Sequence, residues 1–147
     1  MPTPFETKAL QRPIGYWIRS ADRCLTEAIE AIQSDLGLGR REWQVVNTLA
    51  ETGTGKPFGQ LLESLSPIIG DGELRLVLTD LENQNHLRSE GDVWRLTSTG
   101  REAHKCAMER QTAFRERAMQ GISEADYLVA VTVLARLVSN CSTSEDA

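Results

Sequence analysis

A mainly α-helical fold with one small β-hairpin is predicted by three features of the sequence. First, Leu74, Val77, Leu78 and Leu81 recur at helical spacing from Asp71 until the polar run Asn83-Gln84-Asn85. Second, Leu87 opens a strand, Ser89-Glu90-Gly91-Asp92 supplies turn chemistry, and Val93-Trp94-Arg95-Leu96-Thr97 returns as its partner. Third, two long amphipathic segments, about 13–37 and 98–140, lie on either side. A helix running straight into a tight hairpin reads as the recognition helix and wing of a winged helix-turn-helix. The expected organisation is a single domain over 1–147, with the winged helix-turn-helix at 40–97 flanked by N- and C-terminal dimerisation helices.

The remaining elements follow in chain order. Residues 1–12 carry two prolines and little periodicity, which predicts an irregular arm. From Pro13, a first-turn residue, Ile14, Trp17, Ile18, Ala21, Leu25, Ala28, Ile29, Ile32 and Leu36 hold the three-and-four spacing until Gly37. The stripe reaches both ends of this helix, so part of it is expected to pack on a partner chain. A second helix spans about Arg40 to Glu51 with Trp43, Val46, Leu49 and Ala50 inward, and Thr52-Gly53-Thr54-Gly55 stops it. Pro57 begins a third, with Phe58, Leu61, Leu62 and Leu65 on one side, and Ser66-Pro67 ends it. The connection Ile68-Ile69-Gly70-Asp71-Gly72 is longer than a tight helix-turn-helix turn, which leaves the angle to the next helix open.

After the hairpin, Thr97 is the expected cap of a helix to about Gln120, ended by Gly121. Ser123-Glu124-Ala125-Asp126 starts the last helix in the manner of a capping box. Its apolar surface is wide: Leu128, Val131, Leu134, Ala135 and Val138 form one stripe, and Tyr127, Val129, Val133 and Leu137 extend it. A monomer offers too little to cover both sides, so this helix is expected to be buried between two subunits of a homodimer. Residues 141–147 read as a disordered tail.

Composition narrows the class of protein. A chain of 147 residues, 40% apolar and 25% charged, suits one soluble domain. No window approaches a membrane-spanning run and the first residues lack the pattern of a secretory signal, so a cytoplasmic location is expected, with no membrane partner. The three cysteines, Cys24, Cys106 and Cys141, are an odd number at irregular spacing, which fits reduced thiols. Cys24 reads as a small buried apolar residue on the first long helix.

No catalytic constellation emerges, and neither a cofactor nor a metal is expected. His86 and His104 are the only histidines, and His104-x-Cys106 on one helix points its two side chains to different faces. Gly53-Thr54-Gly55-Lys56 fails as a phosphate loop, because Ala50 stands where its first glycine belongs and Pro57 where a hydroxyl should hold magnesium.

The segment LTDLENQNHLRSEGDVWRLTSTGRE resembles the end of the winged helix in MarR-family regulators, with its L-x-x-L and L-T-x-x-G-R patterns. LGLGRREWQVVNTLAETG resembles their second helix, and PIGYWIRSADRCL is similar to the first helix of an actinobacterial branch. The resemblance runs from about Pro13 to Asn140. It implies a dimeric, bacterial transcription regulator that binds double-stranded DNA, with Arg75, Thr79 and Asn83 as base-edge candidates and Arg88 and Arg95 as phosphate contacts. It also implies a cleft between the dimerisation helices and the winged helix, where Tyr16, Trp17 and Trp43 are candidates to hold a small aromatic or polyketide-like ligand.

Charge works against the first implication. Between Arg40 and Thr97 six basic residues face nine acidic ones, a net charge of −3, whereas phosphate neutralisation dominates affinity for DNA. The wing tip carries Glu90 and Asp92 and no arginine, and Asn85 stands where the family usually ends the recognition helix with glycine, which asparagine can replace in a left-handed conformation. The alternative is therefore the same fold without DNA binding, acting through its ligand cleft as a small-molecule binder, an accessory protein or an enzyme. A plain protein-interaction module is the third possibility.

Overall fold

The computed structural model describes residues 1–143. Its elements, in order, are α1 (Pro4–Ala9), α2 (Ile14–Asp35), α3 (Arg40–Thr52), β1 (Lys56–Pro57), α4 (Phe58–Leu65), α5 (Asp71–Asn83), β2 (Leu87–Glu90), β3 (Val93–Leu96), α6 (Ser98–Ala118) and α7 (Glu124–Thr143). The chain divides into two compact units, Met1–Gln111 and the residues from Thr112 onward, with the division falling inside α6.

The core of the first unit is the apolar stripe of each helix of the winged helix-turn-helix. Val45, Val46 and Leu49 of α3, Leu61 and Leu65 of α4, and Leu74, Val77, Leu78 and Leu81 of α5 are all buried, joined by Leu87 and Leu96 from the hairpin. Trp43, Ala50 and Phe58 pack against this cluster while remaining partly exposed. The connection from α4 to α5 contributes Ile69, which is fully buried and so anchors the glycine-rich segment from within.

Two helices end in the same left-handed motif. At the end of α2, Leu38 N donates to Gln33 O and Gly37 N to Ser34 O, with Gly37 at φ 73°. At the end of α5, His86 N donates to Leu81 O and Asn85 N to Glu82 O, with Asn85 at φ 63°. Asparagine thus does at the end of α5 what glycine does at the end of α2.

The sheet is larger than a hairpin. β2 and β3 pair antiparallel, Leu87 opposite Leu96 and Glu90 opposite Val93, with Gly91 at φ 62° in the turn. A third short strand, β1, pairs with β3 through Lys56–Trp94 and Pro57–Val93, giving the order β1-β3-β2. The sequence reading missed β1 because two residues carry no periodicity, and Pro57 proves to be both an edge-strand residue and the cap position of α4.

Both chain ends depart from expectation. The arm at 1–12 is not irregular: Thr3 and Glu6 form a reciprocal capping box for α1, and these hydrogen bonds hold the Glu6 carboxyl below the usual carboxylate range. Trp17 Nε1 then donates to Ala9 O at 2.9 Å, tying the arm to α2. At the other end α7 runs through Cys141 to Thr143, so the first part of the expected tail is helical; 144–147 lie outside the described residues. Ser123 Oγ accepts from Asp126 N, as its position suggested.

The start of α6 is locked onto the hairpin. Thr97 Oγ1 accepts from Gly100 N at 3.0 Å and donates to Asn85 O, while Thr97 N donates to His86 O at 3.0 Å. Gly100 is buried, and a side-chain carbon there would run into the His86 carbonyl. Gly100→Ala is expected to destabilise the fold by about 1–3 kcal/mol, the usual cost of overpacking against immovable backbone, read as a lowered denaturant midpoint with unchanged slope.

Candidate nucleic-acid interface and ligand cavities

The exposed side of α5 and the wing enclose a groove of about 510 Å³ between them. Phe58 and Gly59 at the start of α4, Arg75, Leu78 and Thr79 of α5, and Gly91, Asp92 and Trp94 of the wing line it. Because α5 spends Leu74, Val77, Leu78 and Leu81 on the core, its remaining residues face outward, including Leu76, which is 69% exposed. Two of the five sequence candidates for DNA contact, Arg75 and Thr79, therefore share this groove, while Asn83, at the C-terminal end of α5, is outside its lining.

Arg75 is held in place. Its Nε donates to Asp71 Oδ1 at 2.8 Å and its guanidinium lies 4.1 Å over the Phe58 ring. Thr79 Oγ1 donates back to Arg75 O. Pairs of this exposed, one-turn type contribute about 0.3–0.5 kcal/mol, so phosphate can take the place of Asp71 at small cost. On α3, Arg41 Nε pairs with Glu73 at 3.1 Å, which occupies a second cation near the start of α5.

Arg88 and Arg95 sit elsewhere. They are opposite each other in the β2–β3 register, on the face of the hairpin turned away from Trp94. Glu90, two residues on from Arg88, contacts both: Oε1 is 3.2 Å from Arg88 Nε and Oε2 is 3.3 Å from Arg95 Nε. With Arg101 and His104 of α6 and the Gly53-Thr54-Gly55 loop they line a separate cavity of about 390 Å³. Gly55 is required there, since a side-chain carbon would meet Arg95 Cγ and Val93 Cγ1 at 2.6 Å.

The aromatic candidates for a ligand cleft are also divided. Tyr16 and Trp17 meet edge to face at 5.0 Å on α2, with Arg12 over the Tyr16 ring. Trp43 instead lines a cleft of about 300 Å³ between α2 and α3, with Leu25, Ile29, Gln33 and Arg40; neither Tyr16 nor Trp17 reaches it. Eight and seven residues of helix separate Tyr16 and Trp17, respectively, from the cleft's α2 wall, which begins at Leu25, so sequence proximity to the junction was not enough.

Sequence reasoning also missed the partner of Trp43. The His104 ring stacks on it at 5.2 Å and 9°, and His104 Nε2 makes a 2.9 Å hydrogen bond with Asn47 Oδ1. Trp43 and Asn47 stand one turn apart on α3, and that shared face was the available signal. Burial pushes the His104 pKa down, opposed by the nearby Glu51 carboxylate. His86 is 8% exposed, its Nδ1 has no hydrogen-bond partner, and burial lowers its pKa as well. Cys24 is exposed on α2 in the single chain rather than buried. Among the described residues no group of histidines, cysteines and carboxylates is arranged to hold a metal, and no helix is long and apolar enough to cross a membrane.

These features, a helix presented beside a three-stranded wing on a shared core, define a winged helix-turn-helix. No protein-family model and no curated protein matches the sequence. Solved structures do match. The YusO protein from Bacillus subtilis superposes with a TM-score of 0.70 at 15% identity, covering 94% of this chain and 99% of that one. A MarR family protein of Mycobacterium tuberculosis in complex with DNA gives 0.64 at 22% identity, covering 86% and 98%. CouR from Rhodococcus jostii RHA1 bound to p-coumaroyl-CoA gives 0.61 at 17% identity, covering 87% and 93%. The chain has the MarR-family winged-helix fold.

Two lowered histidine pKa values make the stability depend on pH. The unfolded chain takes up protons near the ordinary value of 6.5, before the folded imidazoles do, so stability present above that pH falls as the pH drops through it and levels off once the folded groups protonate. The thermal midpoint is expected to be lower at pH 5 than at pH 7.5, and His104→Gln, which keeps a donor for Asn47, to flatten part of that difference. A midpoint independent of pH over this range would contradict the assignment.

Proposed function

We propose that this chain is a dimeric transcription regulator of the MarR type, active in the cytoplasm, that reads double-stranded DNA through α5 and responds to a small molecule. The observation that carries the reading is the groove between α5 and the wing, with Arg75 and Thr79 on its wall and an exchangeable Asp71 beside the arginine. Arg75, Thr79 and Asn83 would meet base edges; Arg88 and Arg95 would meet phosphate by exchanging Glu90 for it. The solved relatives with DNA or with p-coumaroyl-CoA bound support the reading by analogy of fold.

Ligand response is assigned to the α2–α3 cleft at Trp43, where Leu25, Ile29 and the indole offer an apolar surface, beside the polar Gln33 and Arg40, to a small aromatic or polyketide-like compound. The uncovered apolar residues of each unit support a homodimer. On α2 these are Ile14, Trp17, Ile18 and Leu25; on α7 they include Leu128, 66% exposed, with Val129, Val131, Val133 and Val138. A second reading, the same dimer without DNA binding, is favoured by the pairing of Arg75, Arg88 and Arg95 with carboxylates of their own chain.

Fluorescence anisotropy with DNA from upstream of the gene, against an unrelated duplex over a salt series, separates the two. The regulator reading expects preference for the upstream duplex, a steep loss with salt, and an affinity loss of about 1–3 kcal/mol in Arg75→Ala. No binding to either duplex at low salt would leave the second reading. Sedimentation at micromolar concentration is expected to give twice the chain mass, and Leu128→Glu with Val131→Glu to shift it toward the monomer; a monomeric parent would overturn the dimer.

A further inference from the structure

The cavity on the far side of the wing has no part in reading DNA bases, yet it gathers cations from β2, β3 and α6. Three guanidinium groups line it, Arg88 and Arg95 from the wing and Arg101 from α6, with no carboxylate among the lining residues. Glu90 serves two of them from the wing turn. Arg101 donates Nη1 to the Leu96 carbonyl at 3.0 Å, and among the described residues no carboxylate lies within ion-pair distance of it. Arg95 Nε is shut off from solvent and makes no hydrogen bond, since its 3.3 Å approach to Glu90 lacks hydrogen-bond geometry.

Directly opposed arginines on neighbouring strands repel, and one shared carboxylate compensates them only in part. A guanidinium presents a planar fork of donors that matches a carboxylate or phosphate with two parallel hydrogen bonds. Leu49, Ala50 and Leu96 add an apolar wall, and about 390 Å³ is within the range of small-ligand sites. The cavity is distinct from the α2–α3 cleft. Trp43 lines the cleft and His104 lines the cavity, and the stack of these two rings stands between them.

We propose that this cavity binds an organic oxyanion, a carboxylate or a phosphate ester, with its charged group on Arg88, Arg95 and Arg101 and its apolar part against Leu49 and Leu96. Glu90 is the internal competitor for the two wing arginines, so a bound oxyanion releases the wing turn from its carboxylate clasp. The site does not depend on DNA binding and is measured without DNA.

Isothermal titration of the full chain with hexanoate, hexyl phosphate and the neutral hexanamide tests it. At least one anion is expected to bind tenfold or more tightly than hexanamide, and the tighter of the two names the headgroup. Arg101→Met should weaken that anion about tenfold, Glu90→Gln should tighten it severalfold, and Lys8→Met, an equal change in net charge outside the cavity, should leave it unchanged; circular dichroism confirms that each variant is folded. Equal affinity for anion and amide, no heat with either anion at millimolar concentration, or an Arg101→Met chain that titrates like the parent would overturn the site. An unchanged affinity in Glu90→Gln would remove the wing arginines from it and overturn the proposal as stated. Since no step uses DNA, its failure is distinct from failure of the regulator reading.

Discussion

The His86 carbonyl is the point on which the winged helix depends. Thr97 N donates to it, Gly100 presses its bare α-carbon against it, and Asn85, one residue before, turns left-handed and gives its own carbonyl to Thr97 Oγ1. One small region thus ends α5, closes the base of the hairpin and caps α6. The wing's orientation against α5 follows from it, because Leu87 and Leu96 are paired and buried immediately beyond these contacts. Each participant is there for a steric or hydrogen-bonding reason: only glycine permits the close approach, and asparagine tolerates the positive φ.

Electrostatics decide how this frame is used. The winged region is acidic, yet its acids are not spread as a uniform repelling field; Asp71, Glu73 and Glu90 are each committed to an arginine of the same chain. Exposed pairs of this kind are weak and screened by salt. They keep the cations oriented and available for exchange, so the net charge of the region understates what its arginines can do locally. The same pairs explain why both a DNA-reading and a DNA-free reading arise from one surface.

The two faces of the wing have separate work because a strand alternates its side chains. Trp94 joins the α5 groove, while Arg88 and Arg95 face the cavity toward α6. The Trp43–His104 stack, fixed by Asn47, forms a wall shared by the cavity and the α2–α3 cleft. Three recesses therefore meet around one core without merging, and a change in one ring's position touches two of them.

The sequence by itself determined the elements with strong periodicity. The stripe Leu74-Val77-Leu78-Leu81, the two strands about Gly91 and the Thr97 cap were readable because apolar spacing, turn chemistry and capping act over a few residues. It also carried the likeness to the MarR fold, through core patterns that the structure repeats. What it could not carry were partnerships across long separations. The pairing of Lys56 with Trp94, the stacking of His104 on Trp43, and the placing of Arg88 and Arg95 away from Arg75 are set by how helices and strands meet. The α1 capping box was local and legible in principle, but two prolines and a short length hid it. Local free-energy terms wrote the helices and the hairpin into the chain; only packing, which adds contacts among residues dozens of positions apart, decided which side chains share a site.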